Sequence, residues 1–385
     1  MRTIRRRAEH LASGEDGVTL VYVAVGLMAF MATSALAIDV GMFMTARAQA
    51  QNAADAGALA GATALVFDSY DDRSASGPAV QSAINTARAN PVMGAPPSVT
   101  PSDVSFPAVQ GSSNRVRVNV FRTHARSNPI ATLIGPLLGV DTVDIWATAT
   151  AEAAPANAMT CVKPFTIPDR WIENTNPPWT PDSTFDRYDK NGKLLPNADV
   201  YVRPGDAGYA GYDPHRDKGL RLMIRAGTGD NVAPSFYWSW AMPGGSGAEW
   251  YRDNIANCNM TIIGIDTLMT PEPGNMVGPT VQGIDALIAK DPDAYWDEAA
   301  RSVRSSLHPS PRIFPIPLYD PEYYESGKRT GRNASLRMAN WLGFFVEGRS
   351  GNTVYGRVTP ITGLIDGDAG PAPAGAFPRA IRLVE

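Results

Sequence analysis

Residues 18–38 read VTLVYVAVGLMAFMATSALAI, carry no charged side chain, and stand directly behind Arg2, Arg5, Arg6 and Arg7. At the helical rise this stretch is about 31 Å long, matching the roughly 30 Å hydrocarbon thickness of a bilayer. Every peptide N–H and C=O inside lipid needs an internal partner, so such a segment is expected to be a helix. The chain contains no second stretch of this kind, so a single-pass protein is expected. The arginines keep residues 1–17 cytoplasmic by the positive-inside bias and place the rest of the chain beyond the inner membrane. Ala35-Leu36-Ala37 also fits the small-x-small pattern of a cleaved signal peptide. The apolar run is longer than the roughly 7–15 residues of a signal h-region, however, and the following sequence continues as helix, so a retained anchor is expected.

Outward from the span, residues 39–66 are Ala-rich and free of proline, and extend the helix by about seven turns. Ala46, Ala50, Ala53, Gly57 and Gly61 recur at helical spacing and form a stripe that lets a second helix approach closely. The stripe would dock helices of other proteins, or pack on this chain's own exported domain. Arg47, Gln51, Asn52 and Asp55 lie elsewhere on the helix surface.

Residues 67–154 read as a small α+β subdomain. A short helix is expected over 79–89, and alternating strands over 116–122 and 143–149. A short apolar helix over 130–138 would join the strands. The Ala-rich stretch 151–158 reads as a linker into a third segment, 159–385, rich in Trp, Tyr, Pro and Gly. There, strands are expected at 221–225, 261–265, 341–345 and 354–358, and a helix over 292–306 starting at Asp291. The fold class expected is α+β: a transmembrane helix continuing into an exported helix, then a loop-rich, mainly antiparallel β region.

A net charge of −4 leaves no basic field to attract nucleic acid. A hydrophobic content of 44% supports a packed core and argues against disorder. The two cysteines, Cys161 and Cys258, form one disulfide if the domain is exported; buried free thiols are the alternative. Such a bridge would close a loop of about 100 residues, for which chain entropy gives about 4–5 kcal/mol.

Glu15-Asp16-Gly17, the single span, Ala37-Ile38-Asp39-Val40-Gly41 and the run AQAQNAADAGALAGA at 48–62 together resemble the N-terminal domain of TadG-like proteins of the Flp/Tad (tight adherence) pilus system. The resemblance covers residues 17–65. The strand ending WATATA at 146–151 is similar to the close of that family's first exported segment. The resemblance implies a membrane component that helps assemble an adhesive surface fibre through contacts with other pilus-system proteins. The chain departs from pilins, which carry a Gly with Glu five residues later: here Thr19 follows Gly14 and Tyr22 follows Gly17 at that distance. Some members carry a metal-binding Asp-x-Ser-x-Ser motif; Asp182-Ser183-Thr184-Phe185-Asp186 lacks that spacing, and no such domain is expected.

Chemical motifs are sparse. Gly244-Gly245-Ser246-Gly247-Ala248 approximates a nucleophile elbow, with Asp285 and His308 downstream in hydrolase order, but Pro243 stands where a strand should feed the turn. Asp186, Asp189 and Asn191 precede Gly192 at calcium-loop spacing, yet an EF-hand register puts Arg187 and Ala198 at ligand positions; an Asx-type turn is favoured, with a partial calcium site on Asp186, Asp189 and Asn191 as the alternative. Residues 272–279 hold Gly274 and Gly278 between prolines but lack a P-loop lysine. No His/Cys cluster has zinc spacing. Trp171, Trp179, Trp238, Trp240 and Trp250 could line a ligand or partner face, though buried core is the simpler reading. The residues therefore point to a non-enzymatic membrane component with no cofactor and no small-molecule substrate. A membrane-anchored hydrolase centred on Ser246 and a surface adhesin are the alternatives.

Overall fold

The computed structural model describes residues 16–69, 71–109, 114–227, 231–329 and 336–384. The basic tail Arg2, Arg5, Arg6 and Arg7 lies outside the described residues. Helix α1 runs uninterrupted over Asp16–Phe67. Its sequence has no proline and is rich in alanine, so nothing breaks the hydrogen-bond ladder through both the apolar and the polar half. The chain is α+β, with this long helix followed by a mainly antiparallel β region.

The chain divides into two compact units. The first comprises Met1–Gly61, Ser74–Ala151 and Leu383–Glu385. Here α2 (Pro78–Ala89) has Pro78 in its first turn, where a missing N–H costs nothing. Beside it lie β1 (Val104–Ser105), β2 (Arg115–Arg122), β3 (Ile130–Ala131), β4 (Thr142–Val143) and β5 (Ile145–Pro155). Strand β2 alternates strictly, burying Val116, Val118, Val120 and Arg122. Arg122 donates to the carbonyls of Ala95 at 3.2 Å and Asn128 at 3.0 Å, and so is paired in the core with backbone rather than a carboxylate.

Residues 130–138 are not the expected apolar helix. They form β3, then a 3-10 turn at Gly135–Leu138, and the chain returns along β4. Gly135-Pro136 is the physical reason, because proline supplies no N–H and an isolated α-helix of this length does not nucleate.

The second unit comprises Ala62–Arg73 and Glu152–Arg382. Residues 151–158 are not a linker. They complete β5 and lead into β6 (Ala158–Met159), with Ala151, Ala153, Ala156 and Ala158 fully buried. Their small side chains permit close backbone approach; the alanine content reflects packing rather than flexibility.

Further strands are β7 (Phe165–Pro168), β8 (Arg221–Ala226), β9 (Phe236–Ser239), β10 (Ile263–Gly264), β11 (Leu268–Met269), β12 (Tyr295–Asp297), β13 (Ser302–Arg304), β14 (Ile313–Tyr319), β15 (Leu336–Ser350), β16 (Thr353–Val358) and β17 (Arg379–Leu383). Helices α3 (Ala248–Ala256), α4 (Val277–Ala289) and α5 (Pro321–Arg329) complete the unit. Strand β15 pairs with β14 along its first half and with β16 along its second, while β16 pairs with β8, β8 with β9, β9 with β7 and β7 with β14. These pairings close a six-stranded ring, with β11 appended to β15. Closure leaves no open sheet edge in the ring.

The core of this unit includes Phe165, Ile224, Phe314, Ile316, Trp341 and Phe344. Trp171 and Trp240 are buried in it, and Trp179, Trp238 and Trp250 pack against it.

The expected helix over 292–306 is instead the hairpin β12–β13. Asp297 accepts the N–H groups of Ala299 and Ala300 and pairs with Arg304 across the strands. Buried Arg312 holds the carbonyls of Asp291 and Ala294. Local side-chain bonds thus outcompete the helical propensity of Asp297-Glu298-Ala299-Ala300.

Candidate functional site

Helix α1 has two halves. Between Val18 and Ile38 its large apolar side chains are exposed, for example Leu20, Tyr22, Phe30 and Leu36, and the helix is long and apolar enough to cross a membrane. Thr33 returns its hydroxyl to the carbonyls of Ala29 and Phe30, so this polar group is satisfied inside the helix.

At Asp39 the surroundings change abruptly. The carboxylate is only 6% exposed, and it accepts the N–H groups of Leu133 at 2.9 Å, Ile134 at 3.1 Å and Gly135 at 2.8 Å. These donors are free because they open the 3-10 turn, whose first N–H groups have no partner within it. Charge-assisted bonds of this kind contribute about 1.5–3 kcal/mol each. The loop is closed behind them by Thr132, whose hydroxyl donates to Val140 O at 2.6 Å, and by Val140 N on Gly135 O at 2.9 Å. A Cβ at Gly135 would lie 2.3 Å from Val140 O, so only glycine allows this closure. In the sequence, Asp39 looks like an ordinary solvated charge at the end of a span; its partners lie too far along the chain to be read locally.

The stripe Ala46, Ala50, Ala53, Gly57 and Gly61 is buried inside the first unit. Around Gly57 lie Ala83 O and the Ala87 methyl, and around Gly61 lie Val116, Ala79 O and the Ala83 methyl. The small residues thus serve close packing of α1 on α2 and β2. The polar residues between them reach backbone: Gln49 Oε1 accepts Met93 N at 2.7 Å, and Gln51 Nε2 donates to Thr148 O at 3.1 Å and Asp55 at 2.8 Å. Gly41, Thr45, Arg47, Ala48 and Asn52 remain exposed.

In the second unit Cys161 and Cys258 are joined in a disulfide, 97 positions apart. Beside it Lys163, 2% exposed, donates to the carbonyls of Asn254 at 3.2 Å, Ile255 at 2.7 Å and Asn257 at 2.7 Å, closing the C-terminal end of α3. Burial, reinforced by Lys290, pulls its ammonium down to about 7. Asp169 is fully buried and accepts the hydroxyls of Tyr201 at 3.0 Å and Tyr209 at 2.9 Å. Burial pushes its carboxyl up to about 6, against the opposing pull of these hydrogen bonds.

The motif residues are not brought together. Ser246 is exposed in the turn before α3, His308 is exposed, and Asp285 commits both oxygens to Arg349 at 2.5 and 2.6 Å. Among the described residues no hydrogen bond links Ser246, Asp285 and His308. Asp189 accepts Asn191 N at 2.9 Å and Lys193 N at 2.8 Å, forming an Asx-type turn. Asp186 N instead donates to Asp199. Among the described residues no three of His, Cys, Asp and Glu converge as metal ligands. Gly274 occupies a turn with φ 84° and Gly278 sits in the first turn of α4.

No curated protein and no solved structure matches the chain. The part of α1 that carries the apolar stretch, Asp39 and the buried stripe does find a match: residues 17–64 fit the family model described as Flp pilus-assembly TadE/G-like.

Proposed function

We propose that the chain is a non-enzymatic, single-pass membrane component of Flp/Tad pilus assembly. Residues 18–38 are retained in the inner membrane with the N-terminus cytoplasmic, and the two units stand on the periplasmic side. The observation that carries this reading is the coincidence of the family match with α1, whose first half is exposed and apolar and whose second half is built into the first unit. The disulfide fits an oxidising compartment.

Other pilus-system proteins would meet the exposed face of α1 at Gly41, Thr45, Ala48 and Asn52, since the buried stripe is already filled. Deleting the gene in its host and restoring it on a plasmid tests the role. Loss of surface fibres that the intact chain restores, and that a Gly41→Leu chain of normal abundance restores poorly, is the expected result. Normal fibres without the chain would refute it.

A further inference from the structure

We propose that the loop at residues 130–140 is a second, monotopic membrane contact that seats the first unit on the lipid surface. The inference rests on reading residues 18–38 as the span. Three consecutive backbone N–H groups of this loop are held by Asp39, one residue beyond the apolar stretch. The loop therefore lies beside the helix at the height where it leaves the hydrocarbon. The headgroup zone extends about 5–7 Å beyond each side of that core, so a group bonded to Asp39 sits inside it.

The loop's chemistry suits that zone. Leu133 and Val140 are 64% and 51% exposed, and Ala131 is exposed too. Leu133 follows β3 and Val140 follows the 3-10 turn, so the two apolar side chains lie on the two limbs of one closed loop. Exposed apolar residues occur elsewhere on the protein, but here two stand on one closed loop at the height where the helix leaves the hydrocarbon. Against lipid, each removes apolar surface from water.

The polar groups that follow set the depth. Asp141 is exposed immediately after Val140, and His124 bonds Thr142 at 2.6 Å and Asp144 at 2.7 Å at the base of the loop. These groups stay among the headgroups, so the contact is shallow. The occupant is the bilayer, because the loop is continuous in height with the end of the span; Asp39 fixes that height through a rigid helix.

The test uses the full-length chain reconstituted alone in liposomes, with no other protein to cover the loop. Leu133→Cys and Val140→Cys are each labelled with an environment-sensitive fluorophore; the native cysteines are bonded to each other and do not react. Leu27→Cys marks the span. Ser76→Cys marks the distal end of the first unit, because α2 packs against Gly61, about 33 Å beyond Asp39 along the helix.

The expected result is a blue shift and loss of most emission at 133 and 140 with lipids brominated near the headgroup, with Ser76 unaffected. If Leu27 is quenched by lipids brominated at the acyl-chain ends while 133 and 140 behave like Ser76 with the headgroup-brominated lipid, the loop is aqueous and the proposal is overturned with the span intact. If Leu27 is also unquenched, the span reading fails and the proposal falls with it. Agreement between 133 and 140 guards against a local effect of either substitution.

Discussion

The Asp39 carboxylate accepts the N–H of Gly135 at 2.8 Å across 96 positions of sequence. One acidic residue thereby joins α1, just past its apolar stretch, to the turn of a β-loop. Asp39→Ala would leave three N–H groups without their acceptor at a site almost closed to water. Unsatisfied buried donors cost about 1–3 kcal/mol each before water relieves them, so a loss of about 2–4 kcal/mol is expected. Amide hydrogen exchange should accelerate at Leu133, Ile134 and Gly135, while the second unit keeps its protection. Unchanged exchange at these three amides would remove the clamp.

Gly61 admits no side chain. A Cβ there would stand 2.7 Å from the Val116 methyl and 3.2 Å from Ala79 O, so Gly61→Leu must push α1 away from α2 and β2. Overpacking of this kind costs about 1–3 kcal/mol, and more where backbone blocks relief. The first unit should melt earlier in a circular-dichroism scan. If the stripe instead served docking of other helices, the first of the two readings the sequence allows, the same substitution would weaken association alone; a variant with wild-type melting and reduced crosslinking would restore that view.

Lys163 gives a pH signature of definite sign. Its folded value, about 7, lies below the ordinary lysine value, so its contribution to stability is present above pH 10 and is lost as pH falls toward 7. Lys163→Met should flatten this limb of the profile. It should also destabilise the second unit by about 2–4 kcal/mol at neutral pH, because three carbonyls at the end of α3 lose their donor. Chemical denaturation between pH 6 and 10 reads both effects.

Asp169 acts on the acid side. Its folded value, about 6, lies above the ordinary carboxylate value near 3.9, so its contribution is fully present below about pH 4 and is lost as pH rises through 6. Asp169→Asn keeps an acceptor for Tyr201 and Tyr209 without the buried charge. The variant should gain up to about 2–3 kcal/mol relative to wild type at pH 7 compared with pH 4. An identical pH dependence in both proteins would show that Asp169 titrates normally.

What the sequence reveals here is what is local. The long apolar helix follows from an unbroken apolar run, and β2 from strict alternation, because it is half-buried on one face. Strands β14 and β15 are buried on both faces over most of their length, which erases that period, so only part of β15 could be read. Pro136 ended the helix expected at 130–138, and Asp297 with Arg312 turned 292–306 into a hairpin. Ring closure depends on β15 pairing with partners on both sides, and the clamp on residues far apart in sequence. Neither leaves a local pattern. The small-residue stripe was visible, but only the position of α2 shows what fills it.

The most direct test of the membrane-anchored account is fractionation of cells carrying a C-terminally tagged full-length chain, with N-terminal sequencing of the recovered protein. The account predicts an intact N-terminus in the inner-membrane fraction, with the tag accessible to protease only after the outer membrane is opened. A mature chain beginning at Ile38, recovered soluble or from the cell surface, would contradict it.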